Sequence, residues 1–359
     1  MKFLDILNES IDRHFSNREA IYLVTLLSGA LIFFYLFGGL VTPVVIGLII
    51  AFLLDGLVKK LRDAGLPVLV AVSLVFLLFL STMIALTLFL IPLVWQQLRS
   101  LAVALPSVFE QARNILLGFA ELSPGFVTVD QVDLWLSSVT SEAAALSGAI
   151  LNSLLNEVPE LVGTLLYLVI VPFSVFFFLK DGDKLIRSLS SFLPENRSLL
   201  DRLGGEMNLQ LINYVRGKFI EIIIVGSITF IVFSLFGLNY ALLLSLLVGF
   251  SVLIPFVGAA VVTIPVALVA VVQFGWSIEF AGIFGAYLLI QFLDGNFLVP
   301  LLFSTAVDLH PIIIVISVLF FGGLWGFWGV LLAIPLATLI KAIYLVWPAK
   351  EDDSSVEAV

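Results

Sequence analysis

Residues 219–258 read FIEIIIVGSITFIVFSLFGLNYALLLSLLVGFSVLIPFVG, and they open a run of 122 residues, Phe219 to Ile340, without one lysine or arginine. Four carboxylates persist in that run: Glu221, Glu279, Asp294 and Asp308. A stretch so apolar and so free of cations belongs in a lipid bilayer. An ionised group near the bilayer centre costs at least ~2.5–3.5 kcal/mol, so acidic side chains kept there line a pathway or pair with something. Working outward, the whole chain of 359 residues is 61% hydrophobic with a mean hydropathy of +1.18. Soluble domains hold about 45–50% apolar residues. The fold class expected is therefore all-α, a polytopic integral membrane protein.

The 17 cations fall in blocks, and short cytoplasmic loops collect Lys and Arg. The pattern divides the chain as follows. Residues 1–19 form an amphipathic cytoplasmic leader, with Phe3, Leu7, Ile11 and Phe15 on one stripe. Residues 20–94 hold the N-terminal membrane helices, with two short crossings before residue 55 separated by Gly38-Gly39, then one outward crossing. Residues 95–157 form an extracytoplasmic helical segment, in which Trp95, Leu98, Ala102, Leu105, Phe109, Ala112, Leu116 and Phe119 mark a buried face. Ser123-Pro124-Gly125 breaks that helix, and Thr128 with Gln131 has capping-box spacing for a second. Residues 158–180 cross back, and 181–218 form a cytoplasmic helical segment in which Asp181 and Asp183 suit a helix start. Residues 219–347 are the C-terminal membrane core, and 348–359 a disordered tail. Both termini are expected in the cytoplasm.

Within the core, Pro255 and Gly258 interrupt one apolar run, and Gly322, Gly323 and Gly326 interrupt another. Each interruption is followed by Ile-Pro (Ile264-Pro265 and Ile334-Pro335), a weak internal echo. Interrupted spans in corresponding places point to a transporter site, so these are read as hairpin tips; the alternative is a pair of ordinary kinked helices at each place.

Asp294 is the leading site candidate. Sixteen residues after Ile278, at 1.5 Å each, place it roughly 24 Å along a helix, well inside a core about 30 Å thick. Gly295, Asn296 and Pro300 are expected to loosen the helix there and free carbonyls. The alternative is a carboxylate at a helix break near the headgroups, bonded to local backbone. Asp308 and His310 could relay protons, or His310 could cap a helix. Glu221 could line the route, or pair with Lys218 one turn earlier.

Catalytic constellations are missing. There is no H-E-x-x-H, G-x-S-x-G or Walker-type phosphate loop, and two histidines are too few for a metalloenzyme. No enzyme activity, metal or cofactor is expected. A net charge of −9 argues against nucleic acid, and with no cysteine there are no disulfides.

At these residues the chain resembles the AI-2E (autoinducer-2 exporter-like) family, the family of the PerM-type permeases. The resemblance runs from Pro43, Gly47 and Ala51–Leu54 through Lys180-Asp181-Gly182, Leu193-Pro194 and Tyr214 with Gly217. It continues through Ile254–Gly258, Asp294-Gly295-Asn296, Val299-Pro300 and Leu309-His310-Pro311, and ends with Gly322-Gly323, Gly326, Gly329 and Ala333–Leu336. It implies a permease of the bacterial inner membrane with about eight membrane helices, some broken or re-entrant. It also implies a homo-oligomer, a pentamer, in which part of each protomer moves as an elevator. The cargo it implies is a small polar solute such as the autoinducer-2 signal, exported, or a monovalent cation in Na+(Li+)/H+ antiport. A membrane scaffold that organises partners through 95–157 is the reading from another class.

Overall fold

A computed structural model describes residues 18–122, 144–145, 147–149, 152, 161–191, 198–303 and 309–346. Among the described residues every regular element is helical. The helices are α1 (Arg18–Asp63), α2 (Val68–Ala85), α3 (Ile91–Leu122), α4 (Leu161–Ser190), α5 (Ser198–Leu235) and α6 (Ala241–Ser251). They continue as α7 (Val257–Phe274), α8 (Ile278–Leu293), α9 (Val299–Phe303), α10 (Pro311–Trp325) and α11 (Phe327–Val346). Short π segments, Leu86–Leu90 and Asp294–Leu298, join α2 to α3 and α8 to α9. Among the described residues five stretches are long and apolar enough to cross a bilayer: Tyr35–Asp63, Val68–Gln111, Leu200–Leu235, Val257–Phe274 and Ile278–Phe303. Three shorter apolar helices, Ala241–Ser251, Pro311–Trp325 and Phe327–Ile343, accompany them. This is an all-α polytopic membrane protein.

The chain divides into two compact units. One comprises Met1–Ser73, Ile170–Val215 and Thr305–Val359; the other comprises Leu74–Val169 and Arg216–Ser304.

In the first unit, α1 corrects an expectation. It runs 46 residues without a break at Gly38-Gly39, where two short spans were expected. At 1.5 Å per residue that is ~69 Å of helix. A glycine inside a helix costs only about 1 kcal/mol, so two of them do not turn a chain that hydrocarbon forces to satisfy its own backbone. Thr42 donates to the Gly38 carbonyl at 2.7 Å, just before Pro43. The cytoplasmic N-terminus was expected from the cation blocks and required two crossings before residue 55; α1 makes one continuous helix there.

α1 crosses α4 where Gly47 faces Ser174: a Cβ on Gly47 would lie 2.5 Å from the Ser174 Cβ and 3.2 Å from the Val171 carbonyl oxygen. Without a hydrophobic drive between spans, such close approach of small residues is what holds membrane helices together. Gly47→Ala is expected to destabilise the protein by ~1–3 kcal/mol, as overpacking does. Thermal unfolding in detergent measures it; an unchanged melting temperature would mean the two helices do not meet there.

Asp181 and Asp183, expected at a helix start, lie inside the last turns of α4. Lys184 binds Asp181 at 2.8 Å, and that hydrogen bond holds the Asp181 carboxyl below the usual carboxylate range. α10 and α11 pack side by side, joined by Gly326 at φ +58°. Gly329 in the first turn of α11 lies so close to the Phe321 carbonyl that a Cβ there would overlap it.

In the second unit, α5, α6, α7 and α8 share a core of Val225, Phe233, Leu244, Val248, Val266, Ala270, Ile283 and Tyr287. Gly226 of α5 and Gly249 of α6 let those two helices cross closely, with a Cβ on Gly249 only 3.1 Å from the Gly226 Cα. α3 lies against α6 and α7, and Gln97 accepts a hydrogen bond from the Leu243 amide at 3.0 Å. Of the stripe read from sequence, Ala102 is buried and Trp95, Leu98, Leu105 and Phe109 are half-buried; Val108, outside that stripe, is buried as well, and the side chains of Ala112, Leu116 and Phe119 are not among those described. Ser147 donates to the Ala102 carbonyl at 2.6 Å. Residues 1–17, Thr128, Gln131 and the 348–359 tail lie outside the described residues, so the leader, the second capping box and the tail go no further.

Candidate functional site

One face of α5 builds the site. Lys218, Glu221, Val225 and Ile228 follow one another at three- and four-residue steps, so they line a single stripe. Lys218 and Glu221 are both buried, 6% and 1% exposed, and the Lys218 ammonium meets Glu221 Oε2 at 2.8 Å. The same ammonium donates to the Val252 carbonyl at 2.8 Å and lies 5.1 Å from the centre of the Phe303 ring. Gly217 makes that ring position available, since a Cβ there would stand 2.6 Å from the Phe303 ring edge.

Val252 closes α6, and the turn to α7 follows. In it Phe256 has φ +62°, a conformation rare for a bulky side chain. Gly258, two residues on, presses against the Ser251 carbonyl so closely that a Cβ would overlap it. The Gly258 amide donates to the Ile254 carbonyl at 2.8 Å. The first turn of α7 thus lies across the last turn of α6, and Lys218 grips the carbonyl at the junction.

Asp294 begins the π segment after α8 and lines a cleft of about 240 Å³. The other walls are Ile224, Val225 and Ile228 of α5, then Ile290, Leu293, Phe297, Leu298 and Leu301. Asp294 is the sole ionisable group among these walls, and its Oδ1 is buried with no hydrogen-bond partner among the described residues. The Lys218 charge attracts Asp294, and Asp294 repels Glu221. Lys218 is ion-paired with Glu221, and when all three groups ionise they carry one net negative charge. One extra residue in a turn widens a helix, and such π segments recur at functional sites.

A hydrogen-bonded row runs beside the cleft. Gln291, three residues before Asp294, donates to the Tyr287 hydroxyl at 3.0 Å. Tyr287 is fully buried and shares a 2.7 Å hydrogen bond with Thr263, which donates to the Ala259 carbonyl at 2.7 Å. The same core also buries Thr229 of α5 and Ser245 of α6 among its hydrocarbon side chains.

Of the residues singled out by sequence, Glu221 pairs with Lys218, Asp294 lines the cleft beside α5, Pro255 lies in the turn that follows Val252, and Gly258 lies in the first turn of α7. Asn296 does not join them: it is exposed, and its side chain donates to the Phe292 carbonyl one turn back at 2.9 Å. The helix at Asp294–Leu298 is widened rather than unwound, contrary to the loosening expected from Gly295 and Pro300. Gly322 and Gly323 sit in the last turns of α10, and Gly326 forms the tip. His310 caps α10, with Nδ1 accepting from the Ile312 amide at 3.3 Å. Asp308 lies outside the described residues. Among the described residues no three His, Cys, Asp or Glu side chains group as metal ligands.

The AI-2E family transporter pattern matches residues 23–349 of this chain. The chain belongs to the AI-2E transporter family. One relative in Escherichia coli (strain K12), named as permease PerM, is 41% identical over 345 residues, 96% of this chain and 98% of that one. Two from Bacillus subtilis (strain 168), named as transport proteins YueF and YrrI, are 25% and 23% identical. Each alignment with these two takes in 84% of this chain; it takes in 83% of YueF and 85% of YrrI.

In this AI-2E family member the sequence reading undervalued Lys218, and it passed over Phe303 and the Thr263–Tyr287–Gln291 row. Lys218 carried a signal, since it is the last cation before the 122-residue run and lies three residues from Glu221. Phe303 carried none: one more phenylalanine in a chain holding 32 of them is invisible until packing places it.

Proposed function

We propose that this protein is a secondary transporter of the bacterial inner membrane, in which Asp294 binds and releases the coupling ion, a proton or monovalent cation. The supporting observation is the buried, unpartnered Oδ1 of Asp294 in an apolar cleft. A bare carboxylate in hydrocarbon is costly, so its stable states are those in which a proton or cation is bound. The cargo proposed is a small polar solute of the autoinducer-2 type, exported by a homo-oligomer, a pentamer by family resemblance. Relatives are named permease and transport protein, which supports transport and leaves the cargo to this reading. Lys59, Lys60 and Arg62 and the cations between residues 180 and 218 are proposed to face the cytoplasm.

A second reading, Na+(Li+)/H+ antiport, is favoured by the charge count. Lys218, Glu221 and Asp294 together carry one net negative charge, and the cleft walls offer no other polar side chain to a hydroxylated solute.

Purified protein in liposomes separates the readings. Sodium or lithium addition collapses an imposed pH gradient under antiport; accumulation of a polar solute that depends on the gradient marks the exporter. In either case Asp294→Asn is expected to reduce flux to the level of empty liposomes. Undiminished flux in that variant removes Asp294 from the mechanism.

A further inference from the structure

We infer that Lys218 is a positioning residue that fastens the α6–α7 tip to α5, and that the occupancy of Asp294 sets the strength of its hold. This rests on the reading of Asp294 as the group that carries the travelling ion.

An ammonium has three hydrogens to donate. On Lys218 one is directed to the Val252 carbonyl, the ammonium is ion-paired with Glu221 at 2.8 Å, and it stands over the Phe303 ring within the ~6 Å range of cation–π attraction. Val252 closes α6, where carbonyls run out of intrahelical donors and the helix dipole is negative, so a cation is the natural partner. The turn it secures is strained at Phe256 and wedged at Gly258, and a strained segment persists only where its surroundings hold it. Lys218 is that holding group.

Asp294 competes for the same charge. It shares its cleft with Ile224, Val225 and Ile228, the next turns of α5 after Glu221, and its Oδ1 lacks a partner. When Asp294 carries a proton or a cation it ceases to attract the ammonium, which then belongs to Glu221 and Val252, and the tip is held. When Asp294 is bare, it draws Lys218 away from Val252 and the tip loosens. Ion release at Asp294 and opening of the α6–α7 turn are thereby one event.

The chain has no cysteine, so a single introduced thiol reports on one place. Leu253, buried at the tip, is that place. The test measures the labelling rate of Leu253→Cys by a membrane-impermeant maleimide, in full-length protein in liposomes. It uses four backgrounds: otherwise unchanged, Asp294→Asn, Lys218→Met with Glu221→Gln, and all three substitutions. Glu221→Gln avoids leaving a stranded carboxylate. Removing the ammonium is expected to raise the rate about tenfold or more, the scale of a lost charge-assisted hydrogen bond. Asp294→Asn is expected to slow labelling while Lys218 is present and to change nothing once it is gone. A residue that merely filled space would show no such dependence. Labelling at the unchanged rate in the Lys218→Met background, or an Asp294→Asn effect equal in both backgrounds, overturns the inference. Where the Lys218→Met background does not fold, the Asp294→Asn comparison decides alone, and an unaltered rate overturns it. Lost flux with unaltered labelling in Asp294→Asn leaves the transport reading standing and removes the fastening; slowed labelling with full flux removes Asp294 from transport and keeps the fastening.

Discussion

Gly329→Ala is expected to unfold the α10–α11 hairpin, at a cost of ~3 kcal/mol or more. Its Cβ position overlaps the Phe321 carbonyl and comes within 3.0 Å of the Gly322 amide nitrogen. Backbone atoms cannot rotate out of the way as a side chain can, so the two helices must part. Gly258→Ala meets the same obstacle at the Ser251 carbonyl in the α6–α7 hairpin, and the same loss is expected there. Gly323→Ala is the matched control. It also lies in α10, nothing stands within 4 Å of its Cβ position, and alanine is the better helix former by about 1 kcal/mol. Melting curves in detergent, read by monodisperse elution after heating, should place Gly329→Ala and Gly258→Ala far below the parent and Gly323→Ala at or above it. Equal melting of Gly329→Ala and Gly323→Ala would dispose of the argument.

Glu221→Ala is expected to cost ~3–5 kcal/mol, because it leaves the Lys218 ammonium buried without its counter-charge. The geometry makes the penalty severe. Lys218 is 6% exposed, and beside Glu221 it meets the Val252 carbonyl and the Phe303 ring. Replacing both partners, Lys218→Leu with Glu221→Leu, should cost much less, since an apolar pair of similar size leaves no stranded charge. Chemical denaturation of the two variants in detergent measures the difference. If the single substitution is as stable as the double one, water reaches Lys218 and the pair is not buried in the membrane-embedded protein.

Composition alone revealed the class of fold, since 122 residues without a cation admit few alternatives to a bilayer. Helix ends were less legible, for one physical reason. A change from apolar to polar residues marks the membrane surface, and helices here pass through that surface without stopping. α4 continues past Lys180-Asp181 to Ser190, and α5 carries both the polar Asn213–Lys218 stretch and the apolar residues after it. Gly38-Gly39 misled in the same way, because a helix in hydrocarbon has no water to which its freed carbonyls could turn. Asp294 stood out as a lone carboxylate among apolar residues. What it faces depends on α5, more than 60 residues earlier in the chain, and no local pattern announces that. Asn296 turns away from the carboxylate for a local reason: its amide reaches back to the Phe292 carbonyl one turn earlier.

The widened turn at Asp294–Leu298 amounts to one residue inserted into an otherwise regular helix. Each residue of an ordinary helix advances the chain by about 100° around its axis. The insertion therefore sets the azimuth of everything downstream, Leu301 and Phe303 included, relative to the carboxylate at its start. Shortening the segment by one position would swing the Phe303 ring off the ammonium it covers while leaving Asp294 where it is. The bulge is thus a phase adjuster, and the register between the acidic group and the aromatic cover is stored in a single surplus residue.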